Sequence, residues 1–428
     1  MATAVKSSPR RWAFRNVKRP ADRSFFENLG PGLITGAADD DPSGISTYAV
    51  AGASFGYGTL WTALLSFPMM AAMQLMSARL GAVTGHGLAH EVRLRYSRYV
   101  LWGTCALLAI SNIVNLAADL GGMGDATSMV TGLNPLALTA AYAIVIIVLL
   151  FWSTYKQIAR IFKWLTLALF AYVFSAFLAR PDWKAVLAAT LVPHFAFSRD
   201  SIGVLVAILG TTISPYLFFW QAAQECEERR AAGNTKKSKL ARLRALHIDV
   251  ITGMVYSNLI MYFIILTTGA TLHAHGQTDI SSAKQAAEAL LPLAGRSAYL
   301  LFALGIVGTG MLGVPVLAGS CGYAFAEASA WKGTLDVPPR RAPQFYAVIG
   351  AAIAAGLALN FAHVNAVKML FWAAIVNGVL APPLILLVIL LTSSRQVMGA
   401  SVSSPWVRIL GWVTLIVMSA AAIALFIV

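Results

Sequence analysis

Asp39, Asp40 and Asp41 stand side by side in GAADDDPSGIS, residues 36–46, between the apolar stretches LITGAA and STYAVAGASFGYGTLWTALL. A charged carboxylate at bilayer depth costs at least ~2.5–3.5 kcal/mol on insertion scales, so three in a row demand compensation. At least one of them is expected to face a water-accessible site near the membrane midplane, where a cation offsets its charge. The acids adjoin a helix breaker: Pro42 removes a backbone donor and Gly44 frees the backbone. A second breaker is TTISP, residues 211–215, inside GVLVAILGTTISPYLFFWQAAQE at 203–225. Pro215 holds the place in the sixth apolar segment that Pro42 holds in the first.

The elements that position these breaks follow from composition. Of 428 residues, 58% are hydrophobic and 12% charged. Soluble domains carry roughly 25% charged residues, so the chain reads as an all-α integral membrane protein. A span needs about 20 mostly apolar residues. Eleven are predicted, at 30–54, 57–78, 99–131, 135–155, 158–180, 200–225, 247–270, 296–330, 343–362, 366–392 and 405–428. The apolar runs are continuous rather than alternating, which excludes a β-barrel. If spans one and six are equivalent, the chain divides into two five-helix halves, and an odd number of helices gives the halves opposite orientations. The expected organisation is a tail at 1–28, inverted repeats at 29–180 and 200–392, and an eleventh helix at 405–428. Interrupted helices at corresponding positions point to a transporter with a midplane site, since non-helical backbone is tolerated there only when buried or lining a cavity.

The net charge of +14 is topological rather than a nucleic-acid footprint. With the N-terminus inside, 26 Lys and Arg residues fall on one side and six on the other. That asymmetry places the N-terminus in the cytoplasm and, with eleven spans, the C-terminus outside the cell membrane. The basic KKSKLARLRALH at 236–247 reads as a solvated cytoplasmic loop, with anionic lipid as its alternative partner. Acids at the centre of the first segment, with no clean small-residue cleavage site, argue against a signal peptide. Cys105, Cys226 and Cys321 form no CxxC site or disulfide framework, and no Walker loop is present. The seven histidines fall at span ends or in loops, with HAH at 273–275 the only metal candidate among them. No enzymatic residues and no resident cofactor are predicted, and oligomeric state is not legible.

Across nearly its whole length the chain resembles the NRAMP family of divalent metal transporters. The family's first broken helix reads GPG…DPGN, and here GPGLITGAADDDPSG spans 30–44. RLGAVTG at 79–85 resembles the segment after the second span. Asp119 in LAADLGG resembles the third-span acid, and Asp249 and Asn258 in HIDVITGMVYSN resemble seventh-span residues. The resemblance implies the LeuT-type fold and a ligand set at Asp41, Gly44, Ser214 and the carbonyls of Ala38 and Thr211.

Departures from the family pattern refine the expectation. Gly44 stands where the family has an asparagine ligand, and Ser214-Pro215-Tyr216 replaces Met-Pro-His. A thioether favours transition metals, whereas Ser214 offers a hard hydroxyl oxygen or room for water. One carboxylate, two carbonyls, a hydroxyl and spare volume suit a partly hydrated Mg²⁺, and the substitutions are similar to those of the NRAMP-related magnesium transporters. Tyr216 and Gly122 replace a histidine and a glutamate that titrate, which predicts transport without proton coupling. Asp119, with Asp125 further along, leaves a residual proton path open. A negative-inside potential of 100 mV favours a divalent cation by ~4.6 kcal/mol without any coupling. Asp39 and Asp40 are expected either to hold the metal's water shell or to concentrate cations in an outer cavity. Asn377 of the tenth span is a candidate for the pathway.

The leading expectation is thus a Mg²⁺ transporter, also carrying Mn²⁺, that works by alternating access. The alternatives are a proton-coupled Mn²⁺ or Fe²⁺ importer, a sodium-coupled carrier of a small organic solute, and a non-transporting sensor.

Overall fold

The computed structural model describes residues 30–153, 157, 164–193, 197–232, 239–362 and 365–428. The basic tail at 1–28, His194 and His363 lie outside these residues, as do parts of the basic stretches at 153–163 and 226–244. Among the described residues every regular element is helical. The first half holds α1 (Pro31–Asp39), α2 (Pro42–Phe55), α3 (Trp61–Thr84), the short α4 (Leu88–Arg95), α5 (Arg98–Thr131), α6 (Pro135–Trp152), α7 (Phe170–Leu178) and α8 (Trp183–Leu191). The second holds α9 (Arg199–Thr212), α10 (Pro215–Ala232), α11 (Lys239–Thr271), α12 (Ala298–Ala328), α13 (Pro343–Asn360), α14 (Ala366–Ser393) and α15 (Pro405–Ile427).

Among the described residues nine helices are long and apolar enough to cross a membrane, α9 and α10 counting together as one. The other two predicted spans fall outside that count. The first is the pair α1–α2, which is interrupted and carries the three acids. The fifth is described only from residue 164, where its apolar helix covers Leu167–Leu178. The short helices α4 and α8 occupy stretches where no span is predicted.

Both breaks use one device: two non-helical residues followed by a proline at the first helical position, where a missing N–H costs nothing. Asp40 leaves the helical region (φ −83°, ψ 49°), Asp41 is extended (φ −67°, ψ 171°), and Pro42 starts α2. Ile213 (φ −120°, ψ 51°) and Ser214 likewise precede Pro215.

Glycines bring these broken helices close to their neighbours. A Cβ on Gly32 would come within 2.6 Å of the Val250 backbone N, and Gly36 faces Gly253, so α1 rests backbone to backbone on α11. Gly210 and Gly378 join α9 to α14 in the same way. At the far end of α1, Asp249 of α11 accepts from the Gly30 N–H at 2.8 Å, the Gly32 N–H at 2.6 Å and the Leu33 N–H at 3.4 Å. It supplies the partner that a helix N-terminus lacks within itself. The mostly buried α12 is tied to α5, where Asn112 Nδ2 donates to Leu317 O and Ser320 Oγ at 2.9 and 2.7 Å. By contrast, α6, α13 and α15 turn most of their apolar surface outward, as lipid-facing helices do.

Candidate metal centre

The three consecutive aspartates do not point the same way. Asp39 closes α1, and Asp40 lies in the non-helical link; both turn toward α11, where the Ser257 hydroxyl bonds Asp39 Oδ2 at 2.6 Å and Asp40 Oδ1 at 3.3 Å. Both acids are fully buried, and Asp39 Oδ1 and Asp40 Oδ2 have no partner. The end of the helix at Asp39 swings both carboxylates against α11, where neither meets solvent.

Asp41 turns toward α5 and α10. As the N-cap of α2, its Oδ1 accepts from the Gly44 N–H at 2.8 Å and from Ser43 Oγ at 2.7 Å. Its Oδ2 lies 3.1 Å from the Tyr216 hydroxyl, which is also 3.1 Å from Ala38 O. Asp119 of α5 accepts from the Ser43 N–H through Oδ1 at 3.2 Å, while its buried Oδ2 has no partner. Asp41, Ala38, Tyr216 and Asp119 thus converge where the chain leaves the helix.

Gly313 of α12 completes this arrangement, and sequence reasoning missed it. A Cβ there would stand 3.1 Å from Asp41 Cβ and 3.8 Å from both Ala38 O and Asp119 Oδ2. Glycine keeps that space open. The only signal was TGMLGVP, a glycine pair and a proline within an apolar span, which by itself reads as a flexible point in a helix.

Two of the expected ligands take other roles. Gly44 supplies no side chain, and its N–H holds Asp41. The spare volume expected beside it is absent, because a Cβ at Gly44 would already lie 3.1 Å from Thr211 Oγ1 and 3.2 Å from Asp39 O. The Thr211 hydroxyl occupies the room that a missing amide would leave. Ser214 Oγ donates back to Gly210 O and Thr211 O, at 2.9 and 2.8 Å, so it caps the end of α9 and engages the Thr211 carbonyl. Asn377 stands apart from the centre, hydrogen-bonded to Ser111 where α14 meets α5. In HAH, His273 Nδ1 and His275 Nδ1 bond the Ala53 and Thr271 carbonyls.

Among the described residues no group of three His, Cys, Asp or Glu side chains forms a ready-made metal cage. A cation here would use one or two carboxylates together with carbonyl and hydroxyl oxygens. Among the described residues Asp39, Asp40, Asp41 and Asp119 make no ion pair. Buried carboxylates without a basic partner require a cation or a proton to offset the loss of hydration.

The chain is similar to known proteins in sequence and fold. Residues 32–428 match the model of the "Natural resistance-associated macrophage protein-like" family. The chain belongs to the NRAMP family. It is 26% identical over 407 residues to the divalent metal cation transporter MntH of Klebsiella pneumoniae, which covers 92% of each chain. MntH of Verminephrobacter eiseniae is 27% identical over 387 residues, covering 87% of this chain and 82% of that one. Among solved structures, the Eremococcus coleocola manganese transporter superposes with a TM-score of 0.75 at 19% identity, covering 95% of this chain and 88% of that one. Mhp1, a nucleobase-cation-symport-1 family transporter, gives 0.57 at 12% identity over 95% of this chain and 94% of its own. The architecture of this NRAMP chain is the LeuT-type fold.

Proposed function

We propose that this NRAMP protein is a secondary transporter that carries a divalent metal cation across the cell membrane by alternating access, with Mn²⁺ as cargo and protons moving with it. One observation carries the reading: Asp41 and Asp119 meet at the first helix break, buried and without a basic partner, beside the Ala38 carbonyl. Oxygen donors of this kind suit Mn²⁺. The names of the relatives, divalent metal cation transporters and a manganese transporter, support the metal. They favour transport over enzymatic activity, and the family assignment argues against an organic solute as cargo.

Charge accounting supports the protons. Four buried carboxylates lie at the break, and one divalent cation neutralises two of them. With Asp41 and Asp119 offset by the metal, the remaining two need protons, which Asp39 and Asp40, each with one unpartnered oxygen, are placed to accept. Gly122 takes no part in such a path, because its open side is packed against Leu370.

A second reading, Mg²⁺ carried without protons, is favoured by the absence of sulfur and amide ligands around Asp41. Its wide-pocket premise is weakened by Thr211 filling the space beside Gly44. The Lys and Arg asymmetry supports a cytoplasmic N-terminus for either reading.

Uptake by proteoliposomes in separate Mn²⁺, Mg²⁺ and Ca²⁺ assays, each with an internal pH dye, tests both. Mn²⁺ entry with acidification of the lumen is expected. Mg²⁺ entry at constant internal pH would select the second reading, and no divalent uptake at all would sink both.

A further inference from the structure

Tyr216 lies between two oxygens that the proposed site asks a cation to share. Its hydroxyl is 3.1 Å from Ala38 O and 3.1 Å from Asp41 Oδ2. A phenol carries one hydrogen, so these contacts share a single donor. The ring is 1% exposed and belongs to the first turn of α10, directly after Pro215. Swinging it away would mean repacking the second break. Turning only the hydroxyl hydrogen about the C–O bond costs far less, because that rotor adapts to its surroundings.

The geometry points to Tyr216 as a place-holder for the cation. Its hydrogen bonds the Ala38–Asp41 oxygen pair when no metal is there, and turns aside when metal arrives. This rests on Asp41 and Ala38 being ligands. Metal and phenol hydrogen then compete for the same lone pairs. Binding replaces an existing hydrogen bond, so it is weaker than it would be to bare oxygens. Release is faster for the same reason, because the departing ion does not leave the Asp41 carboxylate wholly unpartnered. Tyr216 therefore sets affinity and exchange rate without carrying charge.

The test compares the full-length wild type, Tyr216→Phe, and protein with 3-fluorotyrosine at position 216. Mn²⁺ affinity is measured in detergent by calorimetry, and Mn²⁺ turnover in proteoliposomes. Tyr216→Phe is expected to bind Mn²⁺ about tenfold more tightly, the ratio produced by removing one competing hydrogen bond to a charged acceptor. Its turnover should fall as release slows. Fluorotyrosine is a stronger donor, so that protein should bind more weakly than wild type. A tyrosine that only fills space would give a Phe variant of unchanged or weaker affinity, and that result overturns the proposal. If the Phe variant fails to fold, the fluorotyrosine protein decides, and an unchanged Kd rejects the place-holder. Failure of the underlying site would look different: Asp41→Asn would then bind Mn²⁺ as well as wild type, whatever residue stands at 216.

Discussion

The two helix breaks share a backbone and differ in chemistry. Each has two non-helical residues and then a proline, yet only the first carries carboxylates. Asp41 points outward from its break and caps the helix that follows. Ser214 points backward and caps the helix that precedes it. The second break therefore contributes a shielded carbonyl and, through Tyr216, a hydroxyl. The charge of the centre comes from the first break and from Asp119 of α5. In a fold with two matching interruptions, one half supplies charge and the other supplies shape and hydrogen-bond donors.

Removing charge from the first break should have the largest effect. Asparagine is as good an N-cap as aspartate, so Asp41→Asn should keep α2 in place. Mn²⁺ uptake should nonetheless fall by on the order of a hundredfold, the scale of ~3 kcal/mol for a lost contact to a charged group. Near-normal uptake would move the charged ligand to Asp119 or Asp40.

A smaller loss is expected from closing the space between the acids. Gly313→Ala places a methyl against Asp41 Cβ, and uptake should drop about tenfold if the binding geometry costs ~1.4 kcal/mol more to reach. Alanine is the better helix former, so thermal stability should be retained to within about 1 kcal/mol. Gly350→Ala, where nothing lies within 4 Å, is the control and should transport normally.

The second break should respond more mildly. Ser214→Ala removes the hydroxyl that engages the Gly210 and Thr211 carbonyls, a neutral hydrogen bond of roughly 1 kcal/mol, and uptake should change by less than about tenfold. Ser214→Met adds a soft ligand, so Cd²⁺ should compete more strongly against Mn²⁺ than in wild type. An Asp41-sized loss from Ser214→Ala would erase the division of labour between the breaks.

The smallest expected effect lies away from both breaks, in α4. Burial, together with the neighbouring His86 and the Arg93, Arg95 and Arg230 charges, pushes the His90 imidazole down to about 4 from its ordinary 6.5. Above 6.5 both folded and unfolded chains hold it neutral, so it contributes no pH dependence there. Between 6.5 and 4 the unfolded chain binds a proton that the folded one refuses, and stability falls as the pH falls. The melting temperature in detergent should therefore decline over that range, and His90→Gln should flatten part of the decline. Transport above pH 7 should be indifferent to the substitution.

The breaks were legible because proline and buried aspartate are local signals, visible wherever they interrupt an apolar run. Asp41 and Asp119 followed from the ordered family resemblance. The divergence of Asp39 and Asp40 from Asp41 was not legible, since it depends on which residue ends α1, and a shift of one position would redirect all three. Gly313 and the Thr211 hydroxyl beside Gly44 escaped for another reason. Each matters through a helix that is distant in sequence and close in space, and glycine leaves no chemical trace of what approaches it. The expectation of a roomy site failed on that point: a smaller residue leaves volume only if no neighbour moves in.

The three amides at the start of α1 gain a use as a clock. A helix's first N–H groups have no partner within the helix, and those of Gly30, Gly32 and Leu33 bond the Asp249 carboxylate. Solvent deuterium replaces their hydrogens when these bonds open, as they do when α1 lifts from α11. Their exchange rate therefore counts the openings of that end of the molecule, and metal added to the medium would speed or slow the count according to the conformation it favours.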